Sequence, residues 1–109
     1  MKTKLALGAL LCLGLMACGS ITTEHSLLGK QKKAYTGDVR IVMEGQKPPE
    51  GIQEIAIIQV AAYGDQAEMP NSIGALKTRA GQLGCNIVVN VRIDRGSAMS
   101  TTGVCGYLE

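Results

Sequence analysis

Four cysteines are the residues of this sequence whose chemistry is easiest to interpret. Cys12 and Cys18 lie in an apolar N-terminal stretch, whereas Cys85 and Cys105 lie among alternating apolar and polar residues. In an oxidising compartment, two cysteines in a small domain usually form a disulfide. A β-hairpin centred on Arg95 would place Cys85 directly opposite Cys105, with Cβ atoms about 4.5–5.5 Å apart. The spacing therefore predicts a Cys85–Cys105 disulfide.

Two other uses of this cysteine pair stay open. A thiol-based redox module would need a reactive cysteine, but the pair lacks Cys-x-x-Cys spacing and has no evident basic activator. A metal-responsive module would need two further ligands, and His25, the single histidine, cannot supply both.

The remaining polar residues form no catalytic motif. The sequence contains no Ser-centred elbow, no phosphate-binding glycine loop and no pair of metal-binding histidines. Four carboxylates border predicted loops, with no neighbour that would tune them as acid and base: Glu50, Glu54, Asp65 and Glu68. We therefore expect no enzyme, no cofactor and no metal site.

The first residues have the pattern of an export signal. Lys2 and Lys4 give a positive leader, and the apolar run from Leu5 to Met16 is too short to span a bilayer as a mature helix. The run ends in Leu15-Met16-Ala17-Cys18, which resembles the lipobox of bacterial lipoproteins. That resemblance implies a signal peptide over residues 1–17, removed before Cys18, and acyl chains such as palmitate on Cys18. An ordinary signal peptide is the alternative.

The residue after Cys18 bears on the destination. Gly19 is not the Asp that retains lipoproteins at the inner membrane, so the resemblance implies the outer membrane, on its periplasmic face. Loss of Lys2 and Lys4 with the signal leaves nine basic side chains against nine acidic ones. Nucleic-acid binding needs a positive excess, so we expect no nucleic-acid partner.

Residues 18–37 are polar and lack an apolar period. We predict that they form a lipidated cysteine followed by a flexible tether. Lys30, Lys32 and Lys33 could contact anionic head groups there, or be solvated linker charges.

Residues 38–109 are predicted to form one small domain. Alternating or continuous apolar residues predict strands near 39–43, 54–63, 86–93 and 101–108. Ile73, Leu76, Ala80 and Leu83 would share one face of a helix that begins at Asn71 or Ser72. The order β-β-α-β-β predicts a two-layer α+β fold, with one helix packed on an approximately four-stranded sheet. The second sheet face would be open unless a partner or another copy covers it.

Three polar residues of the third predicted strand fall at alternate positions. Asn86, Asn90 and Arg92 would share one face of that strand, and they could form a polar binding face or an ordinary exposed one.

The segment from Leu76 to Val89 also carries a family pattern. Its Ala80-Gly81-Gln82-Leu83-Gly84-Cys85-Asn86 stretch, followed at once by an apolar strand, resembles small bacterial envelope lipoproteins with YbjQ-like or Rcs-sensor-lipoprotein-like domains. The resemblance covers residues 52–109 and the lipobox. It implies a compact α/β domain with a structural, binding or envelope-stress surveillance role. The implied partner is an envelope protein or, since some relatives form rings, another copy of the chain.

Overall fold

The computed structural model describes residues 19–109; the expected signal peptide and Cys18 lie outside the described residues. The described part contains a five-stranded sheet and one helix. The elements are β1 (Gly19–Leu27), β2 (Arg40–Met43), β3 (Gln53–Gly64), α1 (Met69–Gln82), β4 (Ile87–Arg95) and β5 (Met99–Tyr107). The α+β class and the single helix on a sheet are as predicted. No helix among these residues is both long and apolar enough to cross a membrane.

The sheet is mixed, with the strand order β1-β3-β5-β4-β2. Strand β2 runs parallel to β4, and the other neighbouring strands are antiparallel. The aliphatic core lies between α1 and one face of the sheet. It includes Ile55, Ala56, Ile58, Val60, Leu76, Ala80, Leu83, Val88 and Val91.

The predicted tether differs most from the structure. Residues 19–27 form β1, an edge strand that pairs with β3 along its whole length. Its alternation is carried by Ser, Thr, Glu and His, so no apolar period marks it in the sequence. Only Ile21 packs against the core, opposite Ala62. Pairing with β3 therefore makes this segment a strand, although its local composition does not favour one.

The second half of the predicted tether is also held by hydrogen bonds. The Lys32 N–H donates to the Leu83 carbonyl at 3.1 Å, and the Tyr35 N–H donates to the Gly81 carbonyl at 2.8 Å. A Cβ on Gly81 would lie 2.8 Å from the Tyr35 carbonyl oxygen. Glycine is therefore needed in the last turn of α1 because the chain crosses the helix end at close range.

Helix α1 begins earlier than its side chains indicated. It starts at Met69, with Glu68 as the N-terminal boundary residue and no side-chain cap. Pro70 lies in the first turn, where its fixed φ and missing N–H are tolerated. Ser72, one of the two predicted caps, is instead buried, and its hydroxyl donates to the Met99 sulfur at 3.2 Å.

Thr101 has a buried polar group without a hydrogen-bond partner among the described residues. Its side chain is fully buried on β5, between Val60 of β3 and Ile93 of β4. Its hydroxyl is the one buried side-chain polar atom within residues 19–109 without a hydrogen-bond partner. An unpaired buried hydroxyl lowers the free energy of unfolding because it has lost its contacts with water.

Replacing that hydroxyl with a methyl group should stabilise the domain. We expect Thr101→Val to raise the free energy of unfolding by about 1 kcal/mol, measured by urea denaturation. The matched control is Thr102→Val, which changes the neighbouring, half-buried side chain on the other face and should have a smaller effect. A clear loss of stability in Thr101→Val would contradict the absence of a partner.

Candidate functional site

The predicted pairing of Cys85 with Cys105 is present as a disulfide, with 5.7 Å between the Cα atoms. Cys85 lies between α1 and β4, and its N–H donates to the Ala80 carbonyl at 2.9 Å. Cys105 lies on β5. The bond therefore joins the chain just after the helix to an internal strand of the sheet.

The strand register behind that prediction is wrong. The β4 residue opposite Cys105 is Val88, not Cys85. The hairpin turn lies between Arg95 and Met99, further along the chain than predicted, and a bulge interrupts the pairing between Val89 and Arg92. The cysteines still meet because Cys85 precedes β4 and folds back beside the end of the helix.

Both cysteines of the disulfide have no exposed surface. A loop with a sequence separation of 20 residues gives a stabilisation of about 3 kcal/mol in the chain-entropy model. A redox exchange partner would need to reach a sulfur atom, and buried cysteines react poorly. Within residues 19–109, no three His, Cys, Asp or Glu side chains are grouped so that they could hold a metal ion.

Asn86 belongs to the structural framework. Its side-chain amide donates to the Leu108 carbonyl at 2.7 Å, and its side-chain oxygen accepts from the Leu108 N–H at 2.8 Å. Its backbone N–H and carbonyl bond to Gly106 and Arg40. These bonds extend the β4–β5 pairing beyond the last residue of β5, so the Asn86 side chain is occupied.

Asn90 and Arg92 do not share a face with Asn86, in contrast to the prediction. Asn90 sits in the bulge with φ of 54°, a conformation that Asn tolerates better than most residues. Val88 and Val91 both lie in the core, so the bulge inverts the side-chain alternation of β4. Arg92 is exposed and bonds Asp94 at 3.2 Å. The bulge therefore divides the three-residue polar face that the sequence indicated.

The sheet face opposite α1, which we call the uncovered face, has no helix packed on it among residues 19–109. Because Ile58 and Val60 of β3 point into the core, the intervening side chains point away from it. This face includes Thr22, Glu24, Ile57, Gln59, Ala61, Tyr63, Thr102 and Val104. Ile57 and Tyr63 are 43% and 45% exposed, high values for large apolar side chains.

The shape of the uncovered face does not suit a small ligand. Its depressions beside Gln59 have volumes of about 120 Å³ and 190 Å³. Small-molecule sites usually enclose roughly 300–1,000 Å³ with a few convergent polar groups. At the other end of the sheet, a Cβ on Gly106 would lie 2.5 Å from Ile52, so the β2–β3 connection occupies that region. The depressions on the exposed remainder are therefore too small for such a ligand.

A larger depression of about 710 Å³ lies beside β4, where the short strand β2 has ended. Three of the four charged side chains that line it are paired with one another. Arg92 lies 3.2 Å from Asp94 and 3.9 Å from Glu44, and these three side chains are more than half exposed. Exposed ion pairs of this kind are common on protein surfaces and contribute little to stability.

Strand β1 adds a second exposed feature. Within the described residues its outer side has no neighbouring strand, so its backbone N–H and C=O groups are open to pairing except the Thr23 carbonyl, which Arg79 occupies. Arg79 of α1 bonds the middle of this edge. The guanidinium donates to the Thr23 carbonyl at 3.2 Å and lies 2.8 Å from the His25 Nδ1 atom.

The two asparagines of the predicted polar face should respond differently to substitution. Asn86→Ala removes both side-chain bonds to Leu108 and should lower the free energy of unfolding by about 2 kcal/mol. Asn90→Gly should change it by less than about 0.5 kcal/mol, because Gly adopts positive φ freely and the side chain is exposed. Urea denaturation compares the two variants, and equal effects would contradict the separate roles.

Comparison of the chain with protein-family models, with curated proteins and with solved structures finds no match. The lipoprotein family indicated by the sequence therefore stays a prediction, and the function is argued from the surfaces described above.

Proposed function

We propose that the chain is a bacterial envelope lipoprotein that binds another protein through the uncovered face and performs no catalysis. The observation that carries the binding role is this face itself, which exposes Ile57 and Tyr63 among polar side chains. Isolated exposed apolar residues are common, but here they share one side of the same strand. The partner is an envelope protein or a second copy of the chain, and surveillance of envelope stress is a role compatible with either.

Two features support the membrane anchor and the compartment. The sequence Leu15-Met16-Ala17-Cys18 resembles a lipobox, and acyl chains on Cys18 would give an effectively permanent attachment. The fully buried disulfide suits a compartment more oxidising than the cytoplasm. Gly19 favours the outer membrane, periplasmic face, over retention at the inner membrane.

The second candidate is a thiol-based redox or metal-responsive module that uses Cys85 and Cys105. No feature of the surface favours it, since neither sulfur is accessible while the domain is folded. Such a module would have to open locally before either thiol could react or bind a metal.

The anchor and the disulfide are tested together by intact mass. The protein is extracted from membranes after acid quenching and thiol alkylation. We expect a chain that begins at Cys18, carries acyl chains and has no alkyl label on Cys85 or Cys105. Cys18→Ser is the control and should lack the lipid.

Two other results would each contradict a different part of the proposal. A mature chain without lipid would remove the anchor. A lipidated chain with both cysteines alkylated would remove the disulfide and favour the redox or metal module.

The uncovered face is tested by photo-crosslinking in cells. A photoreactive amino acid is placed at Gln59, which is exposed on that face, or at Thr78, which is exposed on α1. We expect a discrete crosslinked product from the Gln59 position and little from the Thr78 position. Products from Thr78 alone, or from neither position, would contradict binding through the uncovered face.

A further inference from the structure

The sheet begins immediately after the proposed lipidation site. Gly19 is the first residue of β1 and pairs with Gly64 at the end of β3. Its φ is 111°, and a Cβ at this position would lie 2.7 Å from the Tyr63 carbonyl oxygen. Gly19 is therefore fixed at one end of the sheet in a conformation that other residues rarely adopt.

This position leaves almost no length for a tether. Consecutive Cα atoms are about 3.8 Å apart, so a lipid on Cys18 starts one residue from the sheet. Acyl chains enter the bilayer at the head-group boundary. A domain joined to them by a single peptide bond must therefore lie next to that boundary.

Several parts of the fold meet at the Gly19 end of the sheet. We call this the proximal end: Gly19, Tyr63 with the connection over residues 64–68, Met69 at the start of α1, and Arg95 with the turn over residues 96–98. The pairing of Gly19 with Gly64 places β1 there, and residues of the connection and of the turn line one depression. Met69 lies beside Arg95, which precedes the turn.

We propose that the proximal end rests against a phospholipid surface, an orientation that depends on the proposed lipidation of Cys18. The end carries two of the exposed large apolar side chains, Tyr63 and Met69, each 45% exposed. Tyrosine is favoured at membrane interfaces because its ring is apolar and its hydroxyl remains hydrated. These side chains meet the head-group region in the orientation that the short link imposes.

The charges at the proximal end show that the link, not electrostatic attraction, sets the contact. Asp65, Glu68 and Arg95 are exposed there, so acidic groups outnumber basic ones. Anionic head groups attract basic clusters and would not attract this end. The domain without its lipid should therefore have no affinity for the same membrane.

The lysines near the end of β1 lie on the opposite side of the domain. The nine residues of β1 separate Gly19 from Leu27 by roughly 26 Å at about 3.3 Å per residue. That separation exceeds the Debye length of about 8 Å at physiological ionic strength. Lys30, Lys32 and Lys33 therefore face away from the anchoring membrane, in contrast to the head-group contact that the sequence permitted.

The absence of tryptophan from the chain makes the orientation directly measurable. Met69→Trp and Leu28→Trp each introduce one fluorophore, at side chains that are 45% and 52% exposed at opposite ends of the sheet. Both lipidated proteins are reconstituted into phosphatidylethanolamine–phosphatidylglycerol vesicles with brominated acyl chains. We expect about a twofold loss of emission for Met69→Trp and no loss for Leu28→Trp, because quenching requires a position near the acyl boundary.

The controls separate this proposal from the lipoprotein proposal. Intact mass establishes whether the reconstituted chains carry lipid, and a chain without lipid removes the lipoprotein proposal itself. With the lipid present, equal quenching of both variants means that the domain lies flat, and stronger quenching of Leu28→Trp means that it is inverted. Either result overturns the orientation while the anchor stands. The unlipidated variants should show no quenching, and quenching there would contradict a contact imposed by the link.

Discussion

The covalent and hydrogen-bonded junction around Cys85 determines how the rest of the chain is arranged. The disulfide fixes the end of α1 against β5, and the Cys85 N–H bonds back to the last turn of the helix. The same helix end accepts the N–H groups of Lys32 and Tyr35. The chain passes there from β1 at one edge of the sheet to β2 at the other edge. One junction therefore positions the helix and the connection between both edges. In a core without Phe or Trp, this cross-link supplies stability that large side chains would otherwise provide.

The β4 strand shows where sequence periodicity is informative and where it fails. Alternation of Ile87, Val89, Val91 and Ile93 correctly predicts a strand. It does not predict which residues face the helix, because the bulge at Asn90 inverts the alternation halfway along. An Asn within an apolar strand is compatible with positive φ, and this was the one local signal of a bulge. The predicted polar face required uninterrupted alternation along β4. The bulge interrupts that alternation, so the three side chains do not share one face.

Strand β1 was missed for a different physical reason. An edge strand needs few apolar residues, since one of its sides and most of its side chains contact water. Ile21-Thr22-Thr23 is a β-branched run, a modest strand signal, but the surrounding Ser, Glu, His and Gly residues are equally typical of a linker. The distinction rests on distant partners, namely β3 in the sheet and Arg79 of α1. The Cys85–Cys105 pairing was predictable because the cysteine count and the oxidising compartment that the lipobox resemblance implies both favour it independently of the register.

The direct passage from the proposed anchor into β1 also restricts how copies of this protein could associate. Antiparallel pairing of two β1 edges would place the two Gly19 residues at opposite ends of the shared strand pair, roughly 26 Å apart along the strands. Two copies anchored upright in one membrane have both Gly19 residues at the same height, so this pairing is not available to them. The uncovered face carries no such restriction, because a two-fold axis perpendicular to the membrane can relate two faces while both anchors stay in the bilayer. In that orientation antiparallel pairing of two β1 edges is excluded, whereas self-association through the uncovered face is compatible with both anchors.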